Sequence, residues 1–287
     1  MVVIYVLIGI LVVVIVLFGL MIRGYKNSPR THRVTPGNFD ISFEEIEFPT
    51  KNNRKLYGWW IPAITECKEN SPTIVLIHGW NRNLERFVPY IKHLQDRAYN
   101  LLAFDSRNHG SSDPDGYSSL LKFAEDIFAS IDYLEQQSCV DNTKIGVIGL
   151  SIGGAASVYA SAHDKRIKKV IAVGAFANPE DIMASEFKKR NVPYPLVWLF
   201  LKYVQFRIKV SFKQIAPVNN IMKSEAEILL VHGTNDETVP YNEAEKLLSA
   251  ANKEKVHLLT LPGSGHSNCH EHPDFWKKVE NFLNDWN

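Results

Sequence analysis

Short, mainly apolar runs alternate with longer stretches in which apolar residues recur every three or four positions over most of this chain. The runs at 73–77, 100–104, 144–149, 168–173, 227–231 and 256–261 read as strands covered on both faces, because neither face is left for water. Between them, residues near 85–97, 120–137, 153–162, 241–251 and 274–286 carry the spacing of amphipathic helices. Ahead of the first buried run, 41–48 and 56–61 alternate apolar with polar and predict two antiparallel opening strands. Strand after helix after strand predicts an α/β architecture, a mostly parallel, doubly wound sheet of about eight strands. The alternation breaks between about 177 and 224, which marks an insertion. Inside it, Tyr194 to Phe206 is apolar and aromatic, including Trp198. That stretch reads as a helix packed back on the domain, as the wall of an acyl pocket, or as a surface that touches a bilayer.

The first 23 residues follow another pattern. Val2 through Ile22 carries no charge and is rich in Val, Ile and Leu. At about 1.5 Å per residue the run would reach across about 30 Å of hydrocarbon. Neither basic residues before it nor a small-residue cleavage site after it marks a secretory signal, so an uncleaved transmembrane anchor is expected. Arg23, Lys26, Arg30 and Arg33 follow, which by the positive-inside rule makes a single-pass membrane protein with its main domain facing the cytoplasm. Residues 24–39 read as a basic linker, and 40–287 as one catalytic domain.

Composition narrows the function by exclusion. The chain is 45% hydrophobic and 22% charged with formal charge +1, and it has no basic stripe interleaved with aromatics, so nucleic acid is not an expected partner. Cys67, Cys139 and Cys269 are odd in number and widely spaced, which implies no disulfide framework and agrees with a reducing compartment.

The candidate chemistry sits at the ends of the apolar runs. Gly149-Leu150-Ser151-Ile152-Gly153 stands between a strand and a small-residue helix, the setting of a nucleophile elbow. A serine hydroxyl needs a base, and the base needs an orienting acid. His232-Gly233-Thr234-Asn235-Asp236 follows one run and Gly263-Ser264-Gly265-His266 follows another, so Asp236 and His266 complete the set in the order Ser, Asp, His. Glu237 is the rival acid, although the turn-favouring residues before Asp236 aim that carboxylate. A metal cluster of His266, Cys269, His270 and His272 is the rival use of the histidines; it lacks the regular paired spacing of zinc sites. The backbone N–H of Ile152 and that of Trp80, after the run at 73–77, are the candidate oxyanion donors. His78 reads as a residue that steadies that loop. The Trp80 side chain either covers the loop or walls the substrate pocket, and Trp198 is the corresponding candidate in the insertion.

Taken together, His78-Gly79-Trp80, the segment from Asp105 to Ser112, the serine elbow, His-Gly-x-x-Asp and Gly-His resemble the α/β-hydrolase family over roughly residues 40–287. The segment Asp105-Ser106-Arg107-Asn108-His109-Gly110-Ser111-Ser112 is similar to the D-x-R-x-H-G-x-S loop that shapes the floor of the site in that family. The resemblance implies an α/β-hydrolase fold with a small helical lid at 177–224, here preceded by the N-terminal transmembrane helix. It implies a serine hydrolase that needs no metal or other cofactor and cleaves carboxylic esters, lipid-derived or medium-chain by the apolar lid. Aminopeptidase or thioesterase action on the same residues is the alternative; a membrane-tethered binding module without turnover is the alternative of another class. Ser at 151 excludes the branches with an aspartate nucleophile, and no HGGG run is present.

Overall fold

A computed structural model describes residues 1–24, 30–63, 71–284 and 286. Eight strands form one sheet: β1 (Glu44–Thr50), β2 (Arg54–Ile61), β3 (Ser71–Ile77), β4 (Asn100–Phe104), β5 (Val140–Leu150), β6 (Ile167–Val173), β7 (Glu227–Gly233) and β8 (Val256–Leu261). Their order is β1-β2-β4-β3-β5-β6-β7-β8. The pairs β1/β2 and β2/β4 are antiparallel and all later pairs parallel. The chain lays β4 on one side of β3 and β5 on the other, so the order reverses there, and open α/β sheets bind ligands at that switch.

Alternate residues of each buried strand feed two separate cores. Val75, Ile77 and Val147 join one apolar cluster, while Ile74, Leu76 and Ile148 join the other. Period-two pointing on a sheet covered on both faces requires that split.

The helices are α1 (Val2–Gly24), α2 (Val88–Leu94), α3 (Leu120–Leu134), α4 (Ile152–Ser161), α5 (Pro179–Lys189), α6 (Tyr194–Ile208), α7 (Phe212–Ile215), α8 (Pro217–Asn220), α9 (Asn242–Ser249) and α10 (Pro273–Asn284). In α3, Leu120, Phe123, Ala124, Ile127, Ile131 and Leu134 are buried at helical spacing, and the Ser119 hydroxyl caps the helix by accepting from the Lys122 N–H. In α4, Gly153, Gly154, Ala155 and Ala156 are all buried, which lets the helix lie close on β5 and β6.

The insertion folds as α5 to α8. Val197, Phe200, Leu201 and Ile208 bury one face of α6, with Phe200 against Phe187 of α5 at 5.0 Å between ring centres. Tyr194, Trp198, Leu199 and Phe206 are exposed. Of the three readings of this stretch, a helix packed back on the domain is the one its buried face describes.

The N-terminal expectation is overturned. Val2–Gly24 is helical, yet among the described residues no helix is long and apolar enough to cross a membrane. The single-pass transmembrane anchor, and the cytoplasmic-facing orientation built on it, are withdrawn. An apolar run states that a helix is to be covered by apolar atoms without saying whether protein or lipid supplies them. Here protein meets one side of the run: Phe18 lies edge-on to Phe200 at 6.1 Å and to Tyr203 at 5.2 Å, and Val14 one turn earlier is half-buried, while Leu17, Leu20 and Ile22 stay exposed.

Residues 25–29 of the expected linker, including Lys26, lie outside the described residues. From Arg30 onward the segment is docked on the domain, with Pro36 and Ile41 buried. Cys139 is disulfide-bonded, contrary to the expectation of unpaired thiols, and Cys269 is free and buried. Cys67 lies outside the described residues. A disulfide persists in oxidising surroundings, so the cysteines no longer argue for a reducing compartment.

Candidate active site

Four parallel strands end on the same edge of the sheet and deliver the candidate residues there. β3 leads into His78-Gly79-Trp80, β5 into Ser151, β7 towards Asp236 and β8 towards His266. Ser151 has φ 56° and ψ −121°, a left-handed conformation that a non-glycine residue holds at a cost of about 1–3 kcal/mol. The glycines flanking it are there for space. A Cβ on Gly149 would come to 2.3 Å from the Gly153 carbonyl oxygen, and one on Gly153 to 2.4 Å from the Ile77 carbonyl oxygen. The bend raises Ser151 at the N-terminus of α4, and the N–H of Ile152, the first helical residue, has no acceptor one turn back.

Asp236 is buried in the turn after β7. One carboxylate oxygen accepts the N–H groups of Thr238 at 2.9 Å and Val239 at 2.8 Å. The other accepts from His266 Nδ1 at 2.6 Å, so the acid fixes which ring nitrogen carries the proton and leaves Nε2 as a base. Glu237, the rival acid, is exposed.

The imidazole of His266 lies over Gly174, about where a side chain there would begin: a Cβ on Gly174 would sit 3.1 Å from its Cε1 and Nδ1. Gly174 follows Val173, whose carbonyl accepts the Ser151 N–H at 2.8 Å. The backbone at 173–174 thus carries Ser151 on one side and the His266 ring on the other. No hydrogen bond joins the Ser151 hydroxyl to His266 among the described residues, a contact that often tightens only around a substrate.

Gly79 passes directly behind the serine, since a Cβ on it would lie 3.2 Å from the Ser151 Cβ. That approach brings the backbone of Trp80 beside Ser151. His78 holds the loop: its Nδ1 donates to the Gly79 carbonyl at 2.7 Å, and its Nε2 accepts from the Ser106 N–H at 3.1 Å. His109 repeats the device, donating from Nδ1 to the Arg107 carbonyl at 3.0 Å and accepting from the Asn81 N–H at 3.4 Å. Both rings use one nitrogen as donor and one as acceptor, so both are neutral. Burial pushes His78 below the ordinary histidine value, and burial with the neighbouring His78 pushes His109 down to about 3.

The tryptophans part company. Trp80 is half-buried, edge-on to His109 at 6.1 Å. Trp198 is 51% exposed on the outward face of α6, with the Lys202 amine 5.9 Å from its ring centre.

Two of the crowded histidines are occupied elsewhere. His270 stacks on Tyr90, and His272 Nδ1 accepts the Asp274 N–H. Among the described residues no group of three or more His, Cys, Asp or Glu is arranged to hold a metal ion.

His232 is a neighbour of the site that the sequence pattern displays without assigning. Its Nε2 donates to the Val239 carbonyl at 2.8 Å and lies 3.5 Å from the Asp236 oxygen that meets His266. Burial holds it below the ordinary histidine value. A histidine four residues before the acid, at the end of its strand, was the available signal.

Comparison with known proteins bears on the family and the fold. A profile of the prolyl oligopeptidase family matches residues 121–286. The uncharacterized protein YfhR of Escherichia coli (strain K12) is 30% identical over 228 residues, 78% of this chain and 74% of that protein. The thiohydrolase aneE of Aspergillus aculeatus is 32% identical over 143 residues, 49% of this chain and 44% of its own. Among solved structures, the Pyrococcus furiosus esterase Pf2001 superposes with a TM-score of 0.71 at 24% identity, covering 91% of this chain and 98% of that one.

Proposed function

Because the chain belongs to the prolyl oligopeptidase family and folds as an α/β-hydrolase, we propose that it is a serine hydrolase of carboxylic esters. Ser151 is its nucleophile, His266 its base and Asp236 the orienting acid. The observation that carries this reading is the 2.6 Å bond from His266 Nδ1 to a buried Asp236, set beside a serine on a strained elbow.

His266 takes the Ser151 proton at Nε2 as Oγ attacks the carbonyl carbon. The N–H groups of Trp80 and Ile152 hold the tetrahedral oxyanion, and loss of one such donor costs about 3 kcal/mol of the barrier. The imidazolium then gives its proton to the departing alkoxide. Water, deprotonated by the same ring, releases the acid from the acyl-serine.

The acyl group we assign is medium-chain or lipid-derived, from the apolar composition of the insertion alone, since α6 turns Trp198 outward rather than into an acyl wall. The family name and the thiohydrolase relative favour a second reading, in which amides or thioesters are cleaved by the same three residues. Ser151→Ala is expected to abolish turnover of p-nitrophenyl esters and labelling by a fluorophosphonate; undiminished labelling of the variant would rule the nucleophile out. Rates across p-nitrophenyl esters of rising chain length, beside aminoacyl amides and acyl thioesters, choose between the readings. A preference for aminoacyl amides would overturn the ester assignment and leave the nucleophile in place.

A further inference from the structure

Asp105 ends β4 and is fully buried. One of its oxygens accepts the Leu84 N–H at 2.8 Å. The other accepts the Ser111 N–H at 2.9 Å and meets His32 Nε2 at 2.8 Å. The carboxylate fills the space beside Gly110, where a Cβ would come to 1.8 Å from its oxygen. A buried carboxylate requires a countercharge as well as donors. His78, 3.9 Å away, cannot supply it, since its Nε2 already accepts a hydrogen bond from the Ser106 N–H.

His32 meets that requirement from outside the strand–helix core. It comes from the N-terminal segment, 73 residues before its partner. Its ring stacks on Tyr57 at 5.2 Å and tilts against Trp59 at 5.5 Å. The segment is tied down on either side of it. The Asn83 amide donates to the Arg30 carbonyl at 3.1 Å, and the Arg33 N–H donates to Glu85 at 3.0 Å. The charged and titratable groups facing the ring are Asp105, Glu85, Glu45 and Tyr57, with His78 behind Asp105. Burial of the ring opposes its charge. The Asp105 bond and the attraction of Asp105, Glu85 and Glu45 outweigh burial and hold His32 above the ordinary histidine value.

The same cluster reaches the loop from Gly79 to Leu84 through Asn83 and Leu84. His78 clamps that loop at Gly79 and Asp105 clamps it at Leu84, with Trp80 between. We propose that His32 is a positioning residue for the oxyanion side of the site: it completes the buried Asp105 cluster that fixes the Trp80 loop behind Ser151. The inference rests on the hydrolase reading above. Reaction geometry is steep in distance, so a loosened donor loop slows chemistry more than it weakens substrate binding.

The test compares full-length protein with His32→Ala and His32→Gln, reading kcat and KM on one p-nitrophenyl ester across pH 5.5–9, with thermal melting alongside. His32→Ala is expected to lower kcat about ten-fold with KM within about two-fold. In the parent protein kcat falls a few-fold as pH rises through the titration of His32, because the charge-assisted bond to Asp105 is the stronger one. His32→Gln keeps a donor without a titrating charge, so it restores most of kcat and removes that alkaline limb. Should His32→Ala not fold, the limb in His32→Gln decides alone. A lowered melting temperature with unchanged kcat, or a limb that persists in His32→Gln, would overturn the assignment. Ser151→Ala run in parallel separates the two levels. Turnover equal to the parent's would remove the nucleophile, and His32 with it. Turnover lost in Ser151→Ala but unaffected by either His32 variant would remove His32 alone.

Discussion

Asp236 makes the residue scale concrete, because its two oxygens do separate jobs. One holds its own turn through the Thr238 and Val239 N–H groups, and the other faces His266. In Asp236→Asn the side-chain carbonyl can still accept from both N–H groups. The amide NH₂ then faces His266 Nδ1 and imposes the opposite tautomer, with the proton on Nε2. The expected result is a loss of about 10⁴-fold in kcat with little change in melting temperature. A variant within ten-fold of the parent would mean that another group orients the base. The candidates Ser151, Asp236 and His266 were legible in the sequence because each stands beside residues that force a turn at the end of an apolar run. His32 was not. It stands in a stretch read as a basic linker, and only packing shows that it meets a carboxylate 73 residues away.

Among the elements, the loop after β4 and helix α3 are held to each other by charge as well as by the ring contact of His109 with Phe123. Arg107 is fully buried and donates to Asp126 at 2.7 Å, Asp115 at 3.0 Å and Glu125 at 2.5 Å, as well as to the Lys122 carbonyl. Thr50, at the end of β1, adds a hydroxyl bond to Asp126 at 3.0 Å. Removing the cation leaves Asp126 buried without its partner, which in such sites costs about 3–5 kcal/mol. Arg107→Met is therefore expected to lower the unfolding free energy by that amount in urea titration, while a change under about 1 kcal/mol would show that water or Lys122 replaces the guanidinium. The sequence resemblance placed Arg107 in the floor of the site without indicating this anchoring. Partners on α3 become visible only when the helix is laid on the sheet. The insertion illustrates the same limit: its apolar stretch promised a helix, and the choice of buried face left Trp198 outward.

For the molecule as a whole, the buried imidazoles set the response to acid. His78, His109, His232 and His270 are each held below the ordinary histidine value by burial. On unfolding they take up protons near the ordinary value of 6.5 that the folded protein refuses. Stability is complete above that pH and is lost as the pH falls below it. His109 alone, pushed down to about 3, accounts for about 1.4 kcal/mol at a pH one unit below 6.5. His32, held above 6.5, has the opposite sign: its contribution is present below 6.5 and fades as the pH rises through its folded value. Four imidazoles oppose His32 and Asp126, whose carboxyl burial raises to about 6, so the urea midpoint is expected to be lower at pH 5.5 than at pH 7.5. Equal midpoints would contradict neutral burial of these rings.

By itself the sequence determined what depends on neighbours along the chain. The period of apolar residues set the strands and helices, and glycines and turn residues at strand ends set the serine bend and the loops that follow. These are decided within a few residues by backbone sterics and local hydrogen bonds. Tertiary structure alone decided what depends on which surfaces meet. It determined that Phe18 of the apolar N-terminal run packs on α6, that Cys139 is bonded, and that a histidine from the N-terminal segment meets a buried aspartate beside the Trp80 loop. A sequence states how apolar or how charged a segment is; the fold alone states what stands against it.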